Sequence, residues 1–157
     1  MSDPLDMMTA CHGRIRDFTS GLGRLAALPD PHDPRAPAAA AQCYRYFREG
    51  LPLHALDEDV SLAPRLRRHR PGAEVEEALD RIAEEHHRID AVLDMLLPLL
   101  EAVPNAPPRQ LLEAHAALCE VLLPHIAMEE KIIFPACALL SLDDRSVMIR
   151  EMRARRG

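Results

Sequence analysis

The chain predicts an all-α fold, an up-down-up-down antiparallel four-helix bundle whose two halves repeat each other, and three observations predict it. Alternating β-branched runs and glycines are scarce, while Leu, Ala, Glu and Arg dominate. Four segments carry apolar residues at spacings of three and four, with prolines concentrated between them. A phrase of His-x-x-x-Glu with a proline six residues after the glutamate occurs twice, as His54, Glu58, Pro64 and as His125, Glu129, Pro135. A second phrase, His-x-x-Ile, precedes each copy, as His12 with Ile15 and as His86 with Ile89. The chain therefore reads as a duplicated helix pair, with repeat halves of about 4–69 and 73–140 inside a single domain over 1–157.

The first helix opens with Asp3 as N-cap, Pro4 at the first helical position and Asp6 in the first turn. Its stripe runs Leu5, Met8, His12, Ile15, Thr19, Leu22, which places His12 at a core position. Pro29, Pro31, Pro34 and Pro37 break the chain into a loop of roughly eight residues. The second helix, about Pro37 to Arg68, brings Tyr44, Phe47, Leu51, His54 and Glu58 to one face. The third, about Ala73 to Val103, keeps Val75, Leu79, Ile82, His86, Ile89, Leu93, Leu96 and Leu100 on its inward stripe. That stripe turns His86 inward and His87, about 100° round the helix, to a flank. After Pro104, Pro107 and Pro108, the fourth helix aligns Leu111, His115, Leu118, Leu122, His125, Glu129, Ile132 and Ala136. A short final helix from Asp143 to Arg155 is compatible with the tail, whose arginines Arg145, Arg150, Arg153, Arg155 and Arg156 read as a solvated helix end.

Composition narrows the function. A net charge of −6 argues against a nucleic-acid partner, which needs clustered cations. No unbroken stretch of about 18 apolar residues suggests a membrane span, and the acidic start lacks a secretory leader, so a cytoplasmic location is expected. The four cysteines form no Cys-x-x-Cys pair and read as small buried hydrophobes.

The repeated phrases carry the chemistry. Residues four apart on a helix share a face, so each His-x-x-x-Glu presents one nitrogen and one carboxylate to a common interior point. Single histidines from the first and third helices complete a set of His12, His54, Glu58, His86, His125 and Glu129. Buried without a cation, four imidazoles and two carboxylates would carry a heavy desolvation penalty. Bridging by the two glutamates gives each of two metals two nitrogens and a share of both carboxylates. With an oxo, hydroxo or water bridge, one open position per metal remains. A nitrogen and oxygen set without thiolate suits two iron ions, with manganese or zinc as substitutes. Asp90 reads as an extra ligand or as a carboxylate that holds an imidazole tautomer, and His87 as a flank residue beside the ligands or an alternative to His86. Asp57, Asp59 and Glu130 flank the ligands and read as a solvated face, Asp57 and Glu130 with the option of hydrogen-bonding a ligand. His115 lies ten residues before His125, about 15 Å along the axis, too far to join the centre. His32 and His69 read as solvated. Pro52 and Pro124, just upstream of His54 and His125, are expected to kink or bulge the helix where those ligands are aimed.

From His12 to the Phe134-Pro135 ending, the chain resembles the hemerythrin family in its His-His-Glu cation-binding form. The resemblance implies a four-helix bundle around a non-haem di-iron centre that binds oxygen or related diatomics. Oxygen-carrying members use five histidines, two of them four apart on the third helix, and here the position four after His86 is Asp90. The set is more similar to the four-histidine, two-glutamate centre of bacterial iron–sulfur cluster repair proteins, without their extra cysteine-bearing domain. Three functions compete. The first is binding or sensing of oxygen or nitric oxide; the second is a di-iron oxidase or nitric oxide reductase; the third is iron donation to damaged clusters. Ligand binding is expected ahead of catalysis, with a small diatomic as partner, no nucleic acid or membrane, and no protein partner that the sequence specifies.

Overall fold

The computed structural model describes residues 3–157. Helix α1 spans Pro4–Ala26, α2 runs over 36–68, α3 spans Ala73–Ala102, α4 runs Pro108–Leu139 and α5 spans Leu142–Arg156. Asp3 caps α1 as expected, its carboxylate accepting from Leu5 N–H at 2.8 Å with Pro4 in the first turn. The turn into α3 uses Arg70 at φ 50° and Gly72 at φ 101°. At Gly72 that left-handed backbone is the reason for glycine.

α1 packs on α2 and α4, and α3 packs on the same two helices, which closes the expected antiparallel ring. No strand occurs among the described residues. α4 is long and apolar enough to cross a membrane by length and composition, with a mean hydropathy of 1.3 over its most apolar window. In this fold it is a bundle helix that buries Leu111, Ala114, Leu118, Leu122, His125 and Ile126.

The core is two apolar clusters with a polar layer between them. One holds Ile15, Phe47, Leu51, Ile89, Leu96, Leu118 and Leu122, and the other Met8, Leu62, Leu66, Leu79, Ile82, Ile133 and Met148. Along each of α1 to α4 the chain passes from one cluster to the other through the residues of the two repeated phrases.

α2 and α4 are not regular α-helices. They contain π turns at Tyr46–Gly50, Asp57–Leu62 and Glu129–Ile133. Each ends two residues before a proline, Pro52, Pro64 or Pro135. The residue just before each proline donates its N–H five residues back: Leu51 to Tyr46, Ala63 to Glu58 and Phe134 to Glu129. Proline lacks an N–H and its ring crowds the carbonyl four residues back, so the turn widens by one residue. The bulge expected upstream of His54 is therefore present at Pro52. None occurs at Pro124, which sits inside the regular stretch Pro108–Met128. The other two widened turns fall on Glu58 and Glu129.

α5 begins with a capping box between Ser141 and Asp144. Three of its arginines, Arg145, Arg155 and Arg156, are tied into the fold, whereas Arg150 and Arg153 are exposed. Arg155 and Arg156 reach Asp57 at 2.8 and 2.6 Å, and Asp57 is fully buried. Arg145 binds Asp3 and the Cys137 carbonyl oxygen, both at 2.6 Å. Glu151 accepts from Arg65 at 2.7 Å and from the Ser61 hydroxyl, which fastens α5 across the second π turn of α2.

Candidate metal centre

All six residues of the repeated phrases meet in the layer between the apolar clusters. His12, Glu58 and Glu129 have no exposed surface, and His54, His86 and His125 are buried. His12 comes from α1, His54 and Glu58 from α2, His86 from α3, and His125 and Glu129 from α4.

Every imidazole turns its Nε2 towards the two carboxylates. Glu58 directs Oε1 to His54 at 2.7 Å and Oε2 to His86 at 3.0 Å. Glu129 directs Oε2 to His12 at 2.8 Å and Oε1 to His125 at 2.6 Å. Each carboxylate thus spans two histidine pairs, His12 with His54 and His86 with His125, whose rings meet edge to face at 5.0 and 4.9 Å. The donor atoms fall into two overlapping sets, His12, His54, Glu58, Glu129 and Glu58, His86, His125, Glu129, each within 4.8 Å.

Several of these contacts are close without being hydrogen bonds. His54 Nε2, Glu58 Oε1 and Glu129 Oε1 are buried and lack a correctly oriented partner. Buried polar atoms left in that state cost about 1–3 kcal/mol each. The atoms converge on shared points rather than on one another, which is the arrangement that two cations with shared carboxylates would satisfy. The donor set fits the implied metal pair.

Charge in the layer is strongly coupled. Burial by itself lowers an imidazole pKa, but adjacent carboxylates overturn this. Glu58, Cys11 and Glu129 raise His54 well above its ordinary value, Asp59 and Glu58 raise His86 to about 10, and Glu129 and Glu58 raise His125. Burial pushes the Glu129 carboxyl up, and the imidazoles of His12, His125 and His54 outweigh it and hold the group well below the usual range. His54, His86, His125 and Glu129 therefore compete for protons that a cation would displace.

A second ring of side chains holds the outer imidazole nitrogens. His12 Nδ1 meets Glu130 at 2.9 Å, and His86 Nδ1 meets Asp59 at 2.9 Å. Each acid directly follows a glutamate of the inner set, so the duplication extends to these contacts. His125 Nδ1 lies 3.5 Å from Glu85. The Cys11 thiol interacts with the ring of His54. Phe134 stacks on His12 with centroids 4.8 Å apart.

Several sequence readings change here. Asp59 is not merely solvated, since it orients His86, whereas Glu130 makes the contact with an imidazole that its place beside Glu129 left open. Asp57 is buried in an ion pair with α5 and does not touch an imidazole. His87 and Asp90, named above as possible partners of the ligands, are both exposed and make no hydrogen bond to the six. Asp90 does line a cavity beside the centre. His115 approaches the Thr19 carbonyl oxygen at 3.1 Å, away from the centre, and His69 pairs with Asp144 at 2.7 Å instead of being free. Glu85 and Cys11 were not anticipated. The available signal was position, because each precedes an inner-set histidine in corresponding places of the two halves.

The cavity is lined by Leu51, Ile89, Leu93 and Leu122, with His54, His86 and His125 facing it. Its volume of about 10 Å³ has room for roughly one water-sized molecule.

The fold and the clustered imidazoles and carboxylates define a helical-bundle protein with the makings of a metal site. Residues 77–156 match the hemerythrin HHE cation binding domain, and the chain belongs to that family. The match holds His86, His125 and Glu129, and the fold brings His12, His54 and Glu58 to them. The chain is also 27% identical over 164 residues to an uncharacterized protein of Haemophilus influenzae, covering 99% of this chain and 91% of that one.

Proposed function

We propose that this chain is a non-haem di-iron protein that binds or senses oxygen, nitric oxide or a related small molecule. His12 and His54 would hold one iron, His86 and His125 the other, with Glu58 and Glu129 shared between them. Bound there, an iron pair would supply open coordination positions for a small ligand. The observation that carries the reading is the cavity. Room for about one water-sized molecule, against three of the imidazoles, suits a diatomic and leaves no space for an organic substrate.

The chain's own residues do the remaining work. Leu51, Ile89, Leu93 and Leu122 give the cavity an apolar wall. Glu130 and Asp59 fix the tautomers of His12 and His86, so that Nε2 faces inward as a lone-pair donor. Asp90, exposed at the cavity, offers a carboxylate and no imidazole, which supports a centre different from that of the five-histidine carriers. The four unpaired cysteines agree with a reducing, cytoplasmic setting.

The test is anaerobic ferrous loading, with metal content and the near-ultraviolet spectrum recorded before and after admitting air or nitric oxide. About two irons per chain and new bands on gas exposure are expected. Replacing Glu58 and Glu129 together by alanine should abolish loading, and retained iron in that variant would overturn the bridging assignment.

A further inference from the structure

The two histidine pairs are matched in their inner contacts and unmatched in what stands behind them. Behind His86 and His125 are two carboxylates, Asp59 at 2.9 Å and Glu85 at 3.5 Å. Asp59 has no guanidinium partner among the described residues, and the nearest one to Glu85 is Arg81 at 3.6 Å, on a largely exposed side chain. Behind His12 and His54 the charge is reversed. Glu130 is claimed by Arg16 at 2.8 and 2.9 Å, which neutralises it. Where Glu85 stands in the second half, the first half has Cys11, and Cys11 Sγ faces Arg14 at 3.1 Å and Arg156 at 3.9 Å. Arg156 also serves Asp57, whose charge it shares with Arg155. Three guanidiniums and one carboxylate therefore stand around the first pair, and two carboxylates with one guanidinium around the second.

Carboxylates behind an imidazole make it a better donor, and fixed positive charge opposes a cation. Resting on the di-iron reading, we propose that the two metal positions are inequivalent: the one held by His86 and His125 fills first and retains its metal, and the one held by His12 and His54 is the exchangeable position. Glu85 and Cys11 are the positioning residues that set the difference. One strong position and one labile position would let the protein keep a metal anchored while the other enters and leaves.

Cobalt(II) added anaerobically to the full chain tests this through its visible bands and through metal content after gel filtration. Two steps are expected, separated by about tenfold or more. In crystals grown with one cobalt per chain, anomalous scattering should lie between His86 and His125. Glu85→Gln should weaken the first step about tenfold and leave the second. Arg16→Gln, at an exposed position, should strengthen the second step by freeing Glu130, and it tests the idea should the buried variant fail to fold. Two cobalts bound with equal affinity, or the first cobalt found between His12 and His54, would overturn the inequivalence and leave the dinuclear reading standing. No bound cobalt would overturn the dinuclear reading itself.

Discussion

Asp57 and Glu58 are adjacent, fully buried in one widened turn, and their charges are met in opposite ways. Glu58 turns inward to His54 on its own helix and His86 on α3, whereas Asp57 turns to Arg155 and Arg156 on α5. The two arginines keep some exposure, so they can recover water if Asp57 is lost, and Asp57 cannot if they are lost. The asymmetry predicts that Arg155→Gln with Arg156→Gln destabilises the fold by about 3 kcal/mol, more than Asp57→Asn does. Urea denaturation of the two variants checks the order, and a larger loss from Asp57→Asn would contradict it. A second case is Phe134, which belongs to the apolar cluster around Met8 and Ile133 and stacks on His12. Phe134→Ala should cost about 3–5 kcal/mol, read from the same midpoints. It should also loosen metal retention, because His12 loses the ring that fixes its plane.

The elements are shaped by prolines that sit two residues beyond the π turns. With an ordinary residue at 64 or 135 the N–H returns, the carbonyl clash disappears, and a regular helix becomes available. A regular turn would rotate the preceding glutamate relative to the residues that follow it. Pro135→Ala should therefore speed loss of bound metal to a chelator while far-ultraviolet circular dichroism stays unchanged. α5 depends on a different device. Asp144 closes its capping box and pairs with His69, and its pKa is lowered to about 2, chiefly by the hydrogen bond with His69. An unfolded aspartate titrates near about 3.9. The unfolded chain therefore takes the proton first, so the contribution is present above that value and lost as pH falls through about 2. Urea midpoints of the wild type and Asp144→Asn should differ at pH 6 and converge near pH 2. The chain's prolines, glycine turn and caps gave these boundaries away: α3 was expected from Ala73 to Val103 and ends at Ala102. The π turns were less legible, since a proline marks where a backbone must yield and not whether it kinks, bulges or simply continues, as Pro98 and Pro124 do.

At the scale of the molecule, a polar layer divides the core, and its buried acids and bases make the fold dependent on what they bind. A ligand that binds the folded state alone stabilises it, by about 2.7 kcal/mol at a hundredfold excess over its dissociation constant. Metal loading should raise the thermal midpoint and chelation should lower it, which calorimetry on the loaded and stripped protein would show. The sequence by itself determined the helical class, the duplication and the six residues that converge, because helical periodicity and a repeated spacing are local and survive without neighbours. Tertiary structure alone decided what stands behind those six. Glu130 and Asp59 reach imidazoles of the opposite half, Glu85 and Cys11 look like ordinary surface or filler residues until neighbouring helices face each other, and Arg155 and Arg156 meet Asp57 only across 98 and 99 residues of chain. Charge acts through distance in space, and sequence spacing reports that distance only within a single helix.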